Sequence, residues 1–168
     1  MKRNVPAFQP ASSIPEAPVA VKTGYRILLC GVPLLAGVYF LVGISPPLLI
    51  KYARPQAESV LNLYSHFCHQ ILERSIVIGG TPLGFCSRCT GFYGGLFGGS
   101  LTVARSGGGR SLGLISLGLL VAPALIDFWF DLSSHVLGSN LLRCSTGLLA
   151  AIGLVRFAFP RLLWAAER

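Results

Sequence analysis

The stretch ILLCGVPLLAGVYFLVGISPPLLI, residues 27–50, decides the fold class of this chain. It contains 24 consecutive uncharged residues, most of them apolar. About 20 such residues are enough for an α-helix to cross the hydrocarbon core of a bilayer. The run is too long for the apolar region of a signal peptide, and no small-residue cleavage site follows a short apolar run. It therefore predicts a first membrane span, bent at Pro33 and ended near Pro46 and Pro47.

Further apolar runs predict an all-α, polytopic integral membrane bundle of about four transmembrane helices. The later spans are expected at about 89–104, 112–130 and 141–159. The first of these is short, but the arginines at its ends can extend to the membrane interfaces. Between the first two spans, apolar residues recur at helical spacing from Glu58 to Leu72, which predicts an interfacial amphipathic helix. The glycines and proline of segment 79–84 predict a loop after that helix.

Composition supports a membrane protein with short polar ends. Of the 168 residues, 52% are hydrophobic and 12% are charged, about half the charged fraction of a typical soluble domain. The net charge is +8, but the basic residues flank apolar runs, so the charge does not indicate nucleic-acid binding. We expect a disordered proline-rich tail at 1–25, a transmembrane domain at 26–160 and a basic C-terminal tail at 161–168.

The distribution of basic residues predicts the orientation. With a cytoplasmic N-terminus, five basic residues lie outside and nine lie inside: Lys2, Arg3, Lys22, Arg26, Arg105, Arg110, Arg156, Arg161 and Arg168. Cytoplasmic loops of membrane proteins carry such an excess of Lys and Arg. The chain is therefore expected to be a multi-pass protein of the cell (inner) membrane with both termini cytoplasmic.

Glycines of the second span are spaced for helix packing in lipid. Several pairs of them stand four residues apart, and the set comprises Gly91, Gly94, Gly95, Gly98 and Gly99. Such small residues allow a neighbouring helix backbone to approach closely. They predict a contact with a partner helix.

Cysteines and histidines collect at the predicted outer face. Two residues separate Cys86 from Cys89, so both sulfurs can face one point, as in a metal site or a reversible disulfide. Cys68 and His69 upstream complete a tetrahedral ligand set. Adjacent residues of a helix point about 100° apart, so Cys68 and His69 could not easily share one ion if both were helical. His66, two residues before Cys68, is therefore an alternative fourth ligand. The set predicts zinc or a similar soft-ligand ion.

The same thiols allow two other functions. Near a helix N-terminus, Cys86 and Cys89 would form a redox dithiol, with Cys68 or Cys144 as exchange partner and a quinone as electron acceptor. Alternatively, the cysteines only staple the outer loop of a structural or accessory subunit. The sequence contains no GxSxG, HExxH or P-loop motif, and it does not decide whether the chain is an enzyme.

Ionisable residues within the spans form a second candidate site. Asp127 and Asp131 stand four residues apart on one helical face, and a charged group inside a span is a functional hypothesis by default. We expect Asp127 to pair with Arg143 at a matching depth in the next span. Otherwise the aspartates would ligate a metal with His135, or carry protons.

Three more polar residues belong to this face. Asn140 fits the N-cap of the last helix. Arg74 and Arg88 are expected to anchor the chain at the interface or to hold a phosphate or lipid headgroup.

Several of these residues also lie in strings that resemble the motifs of a protein family. The strings Phe67-Cys68-His69-Gln70 and Cys86-Ser87-Arg88-Cys89-Thr90-Gly91-Phe92-Tyr93, with Asp127 and the later Ser139-Asn140 and Arg143, resemble domain-of-unknown-function family 2085. The match extends from about Tyr64 to Gly153. It implies a multi-span prokaryotic membrane protein and implies no activity.

Overall fold

The computed structural model describes residues 19–108, 110–134 and 138–167. Most of the predicted disordered tail and His135 therefore lie outside the described residues. The chain folds into six α-helices and one β-hairpin within these ranges. In chain order they are α1 (Val19–Ile44), α2 (Pro46–Leu49), α3 (Arg54–Ser65), a 3₁₀ turn (Leu72–Arg74), β1 (Ser75–Ile78), β2 (Thr81–Cys86), α4 (Ser87–Arg105), α5 (Leu114–Ser134) and α6 (Asn140–Glu167).

Three helices of the described chain are long and apolar enough to cross a membrane. Their apolar segments are Gly24–Ile44 in α1, Leu114–Leu132 in α5 and Asn140–Ala166 in α6. At 19 residues, α4 is also about 28 Å long, but its glycines and hydroxyl residues make it less apolar. The structure thus supports three of the four predicted spans by length and composition.

Helices α1, α4, α5 and α6 pack side by side in alternating directions. At one end of the bundle, the Tyr25 hydroxyl near the start of α1 donates to the Gly107 carbonyl just after α4, at 3.0 Å. At the same end, the Leu112 N–H before α5 donates to the Arg156 carbonyl of α6. The other end holds the last turns of α1 and α5 and the first turns of α4 and α6. We call it the site end.

Glycines allow α4 and α6 to pack backbone against backbone. A side chain at Gly91 would overlap the Cys144 carbonyl oxygen, and one at Gly147 would overlap the Arg88 carbonyl oxygen. Gly95 lies against Leu148, and a Cβ there would lie 2.8 Å from that residue's carbonyl oxygen. The predicted glycine contact is thus made with a helix of the same chain. The other predicted glycines face α1 at Gly94, Val155 at Gly99 and open space at Gly98.

The segment predicted as a loop after the amphipathic helix is an antiparallel β-hairpin. Ser75 pairs with Cys86, and Ile78 pairs with Thr81. The two-residue turn has positive φ at both Gly79 and Gly80, the conformation that tight hairpin turns require. β-Branched residues favour the strand before it. The chain is therefore mostly helical with one small sheet, and not all-α.

Three predicted boundaries also differ from the structure. The amphipathic helix runs from Arg54 to Ser65 instead of from Glu58 to Leu72, because the chain leaves the helix to reach the hairpin. Helix α1 begins at Val19, within the predicted tail. Helix α6 continues to Glu167, since Leu163 of the predicted C-terminal tail is buried against the core.

Candidate metal centre and ionic cluster

Three cysteines meet at the site end of the bundle. The sulfur atoms of Cys68, Cys86 and Cys89 all lie within 4.8 Å of one another. They come from the turn after α3, the end of β2 and the first turn of α4. This range includes the separation of about 3.8 Å between thiolates bound tetrahedrally to zinc at about 2.3 Å. We refer to these three residues as the sulfur cluster.

Gln70 helps to hold the Cys68 sulfur beside the sulfurs of Cys86 and Cys89. Its side-chain amide donates to the Leu61 carbonyl of α3 at 2.8 Å and to the Gly84 carbonyl of β2 at 3.0 Å. Its backbone has a φ of 46°, which is uncommon for a residue other than glycine. The tight turn this creates places the Cys68 sulfur 3.2 Å from the backbone N–H of Cys86. Gln70 is thus a structural determinant of the sulfur cluster that spacing alone does not reveal.

Hydrogen bonds within the sulfur cluster favour a thiolate at Cys68. Side-chain hydrogen bonds from Cys86 and then Cys89 lower the pKa of Cys68 below its ordinary value. The same bond to Cys68 raises the pKa of Cys86. A hydrogen bond to the charged form of an acid stabilises that form. One sulfur is therefore prepared to act as a ligand or nucleophile.

The other predicted ligands stand apart from the sulfur cluster. Among described residues, the mutually close ligand atoms come from the three cysteines, without a histidine or an aspartate. His69 is exposed but lines the cavity beside the cluster. His66 is exposed, and its Nδ1 lies 3.0 Å from the Asn62 carbonyl oxygen. The structure thus brings together three of the four predicted ligands, and Cys144 lies outside the group.

Arginines from three elements converge on Asp131 of α5. Arg143 Nη2 of α6 donates to Oδ1 at 2.6 Å, and Arg74 Nη1 donates to Oδ2 at 2.9 Å. Arg88 Nη2 of α4 lies 3.5 Å from the same Oδ2. Arg88 also donates through Nε to Asp127 Oδ2 at 3.0 Å. These five residues form the ionic cluster.

The ionic cluster changes two sequence predictions. Arg143 pairs with Asp131 instead of with Asp127, because the aspartate nearer the end of α5 faces the first turn of α6. The helix cap is Ser139, whose hydroxyl accepts the N–H of Leu142 at 3.2 Å. Asn140 instead donates through its amide to the Ser75 carbonyl of β1 at 3.3 Å.

A cavity of about 390 Å³ joins the two clusters. Its lining comprises the sulfur cluster, the polar residues His69 and Gln70, the charged residues Arg74, Arg88, Asp131 and Arg143, and the apolar residues Phe67, Ile71, Phe128 and Leu132. An ion or ligand in this cavity would meet sulfur ligands and guanidinium groups together. Such convergence of polar groups in an apolar concavity is typical of a binding site.

Comparison with known proteins identifies the family and gives no activity. A family model described as "Predicted membrane protein", domain-of-unknown-function family 2085, matches residues 68–157. An uncharacterized protein of Methanothermobacter thermautotrophicus is 37% identical over 92 residues, which cover 54% of this chain and 83% of that protein. No solved structure matches the chain. The matched range includes the sulfur cluster and all five residues of the ionic cluster, and the chain belongs to this family of membrane proteins.

Proposed function

We propose that the protein is a membrane metal-binding protein that holds one zinc or similar soft-ligand ion through Cys68, Cys86 and Cys89. The observation that carries this proposal is the mutual approach of three sulfurs within 4.8 Å. Thiolates select zinc and other soft-ligand ions over magnesium or calcium. When bound, the ion would supply Lewis-acid chemistry at the wall of the cavity.

Three cysteines leave one position of a tetrahedral ion without a ligand, and a group in the cavity would occupy that position. His69 lines that cavity beside the sulfur cluster, so its imidazole is the protein group proposed for this position. His66 is the alternative from the sequence, although its Nδ1 faces a carbonyl of its own helix. A three-ligand site with a water or substrate in the fourth position is typical of catalytic zinc, whereas four protein ligands are typical of structural zinc.

Metal analysis of the purified protein tests this proposal. We expect about one equivalent of ion per chain, and under about one tenth after Cys68→Ser, Cys86→Ser or Cys89→Ser, because each change removes a thiolate ligand. Cys144→Ser is the matched control, since this cysteine lies nearby but outside the sulfur cluster, and it should keep the ion. Equal metal contents in the Cys86→Ser and Cys144→Ser proteins would contradict the proposal.

A thiol–disulfide oxidoreductase is the second candidate. The lowered pKa of Cys68 beside two other thiols favours it, because a thiolate is the attacking species in exchange. In that reaction Cys86 and Cys89 would close a disulfide and pass two electrons and two protons to a quinone, which becomes the quinol. The Cys68 thiolate, as exchange partner, would then attack that disulfide and form a mixed disulfide, releasing the other cysteine of the pair as a thiolate. Thiol labelling separates the candidates: a quinone-dependent loss of two thiols supports the oxidoreductase. Permanent disulfides that resist mild reductant would indicate the stapling role instead.

We also propose that α4 is a fourth span and that both termini are cytoplasmic, so that the site end faces outward. The alternating helix directions and the basic residues at the opposite end support this orientation. An added cysteine at exposed Tyr52, near the site end, should gain labelling by an impermeant thiol reagent on intact cells, relative to the unmodified protein. An added cysteine at exposed Ser106 should gain it only after permeabilisation. The reverse pattern would overturn the orientation.

A further inference from the structure

The ionic cluster carries one positive charge in excess. It contains three guanidinium groups and two carboxylates, and both oxygens of Asp131 already accept hydrogen bonds from arginines. The side chain of Arg143 is only 3% exposed, whereas those of Arg74 and Arg88 are 30% and 23% exposed. An uncompensated charge at a site sheltered from water is costly. The excess therefore calls for an anion from outside the cluster.

Arg143 has the donors that such an anion would satisfy. The residue is 2% exposed, and only its Nη2 donates to a partner. Its Nε and Nη1 are buried and find no hydrogen-bond partner among the residues that the structure describes. Buried donors without a partner are rare in folded proteins, and a charged one is especially costly. Since Arg143 also lines the cavity, a ligand there can supply the missing acceptor.

The cavity suits an anion with an apolar portion. Its volume of about 390 Å³ would hold on the order of a dozen water molecules. The apolar residues Phe67, Phe128 and Leu132 line it, and each is more than half exposed. A headgroup could reach the arginines while an acyl chain stays against this apolar rim.

We propose that Arg74, Arg88 and Arg143 bind the phosphate of a phosphorylated ligand, either a phospholipid headgroup or a free phosphate. The planar guanidinium group offers paired donors that match phosphate oxygens. The apolar rim favours the phospholipid as the source. This site uses residues outside the sulfur cluster and goes beyond the metal proposal. Metal binding can fail while this site still binds phosphate, because the arginines do not ligate the ion.

Binding measurements on chelator-treated protein test this site without the metal. The protein is placed in phosphatidylcholine nanodiscs with or without phosphatidic acid, and retained lipid is measured by native mass spectrometry. Inorganic phosphate is titrated separately by calorimetry. Selective retention of phosphatidic acid identifies a lipid ligand, and saturable binding of inorganic phosphate identifies a free one. Either result supports the site, and binding of neither overturns it.

Two variants connect the binding to the arginines. Arg74→Gln and Arg143→Lys should each weaken retention or binding by about tenfold or more, because each removes charge-assisted hydrogen bonds to phosphate. Arg54→Gln is the matched control. Its side chain is 77% exposed on α3 and pairs with Glu58, so binding should not change. If Arg143→Lys does not fold, Arg74→Gln decides, and equal losses in Arg74→Gln and Arg54→Gln would refute the site.

Discussion

The Asp131→Asn protein is expected to lose about 3–5 kcal/mol of its free energy of unfolding. Asp131 accepts hydrogen bonds from Arg143 and Arg74 and lies 3.5 Å from Arg88. The asparagine keeps the shape of the side chain but removes its charge, so Arg143 would stay buried without a counter-charge. Breaking a buried ion pair by neutralising one partner is strongly destabilising for this reason. Unfolding in detergent, followed by circular dichroism in phosphate-free buffer, measures the loss.

Glu58→Gln is the control for Asp131→Asn. Glu58 also pairs with an arginine, Arg54, but both side chains are more than 60% exposed. Exposed pairs of this kind contribute little to stability, so the midpoint should barely move. Similar small losses for both variants would show that Asp131 does not balance a buried charge.

The Gly91→Ala protein is expected to lose about 3 kcal/mol, because one methyl group would separate α4 from α6. A Cβ at this position would overlap the Cys144 carbonyl oxygen. That carbonyl belongs to a helix backbone, so it cannot move aside as a side chain could. The same unfolding measurement tests this, and a second sign should be greater exposure of Cys144 to thiol reagents.

Gly98→Ala provides the comparison on the same helix. Nothing lies within 4 Å of a Cβ built at Gly98. Alanine also favours a helix over glycine by up to about 1 kcal/mol. We therefore expect stability to be unchanged or slightly higher. If both alanine variants lose stability equally, close α4–α6 packing is not the role of Gly91.

Much of the bundle was predictable because lipid imposes long apolar runs. The segments of α1, α5 and α6 stand out by length and hydropathy alone. The hairpin is not predicted, because Gly79 and Gly80 indicate a loop as readily as a two-residue turn between strands. The sequence also misplaces helix ends that tertiary contacts decide: α3 ends at Ser65, and α6 continues to Glu167 because Leu163 packs into the core. The prediction of α4 as a fourth span stays a prediction, because α4 is less apolar than the other three.

The candidate site was predictable in its residue types but not in its pairings. Spacing correctly grouped Cys86 and Cys89 with Cys68, because a CxxC pair and an upstream cysteine suit one ion. The role of Gln70 depends on carbonyl groups of α3 and β2, which only the folded chain brings together. Likewise, the position of α5 along its axis relative to α6 decides which of the two aspartates meets Arg143. Both Ser and Asn cap helices well, so composition could not choose Ser139 over its neighbour.

The register of the hairpin brings the sulfur cluster and the ionic cluster together at one cross-strand residue pair. Cys86 supplies a sulfur, and its cross-strand partner Ser75 accepts the Asn140 amide of α6 and directly follows Arg74. A shift of one strand on ion loading would therefore move a guanidinium group and the first turn of α6 together. If a bound ion and a bound anion favoured the same position of the hairpin, each would raise the affinity for the other by the same factor. The hairpin is thus the element through which the two proposed ligands would influence each other.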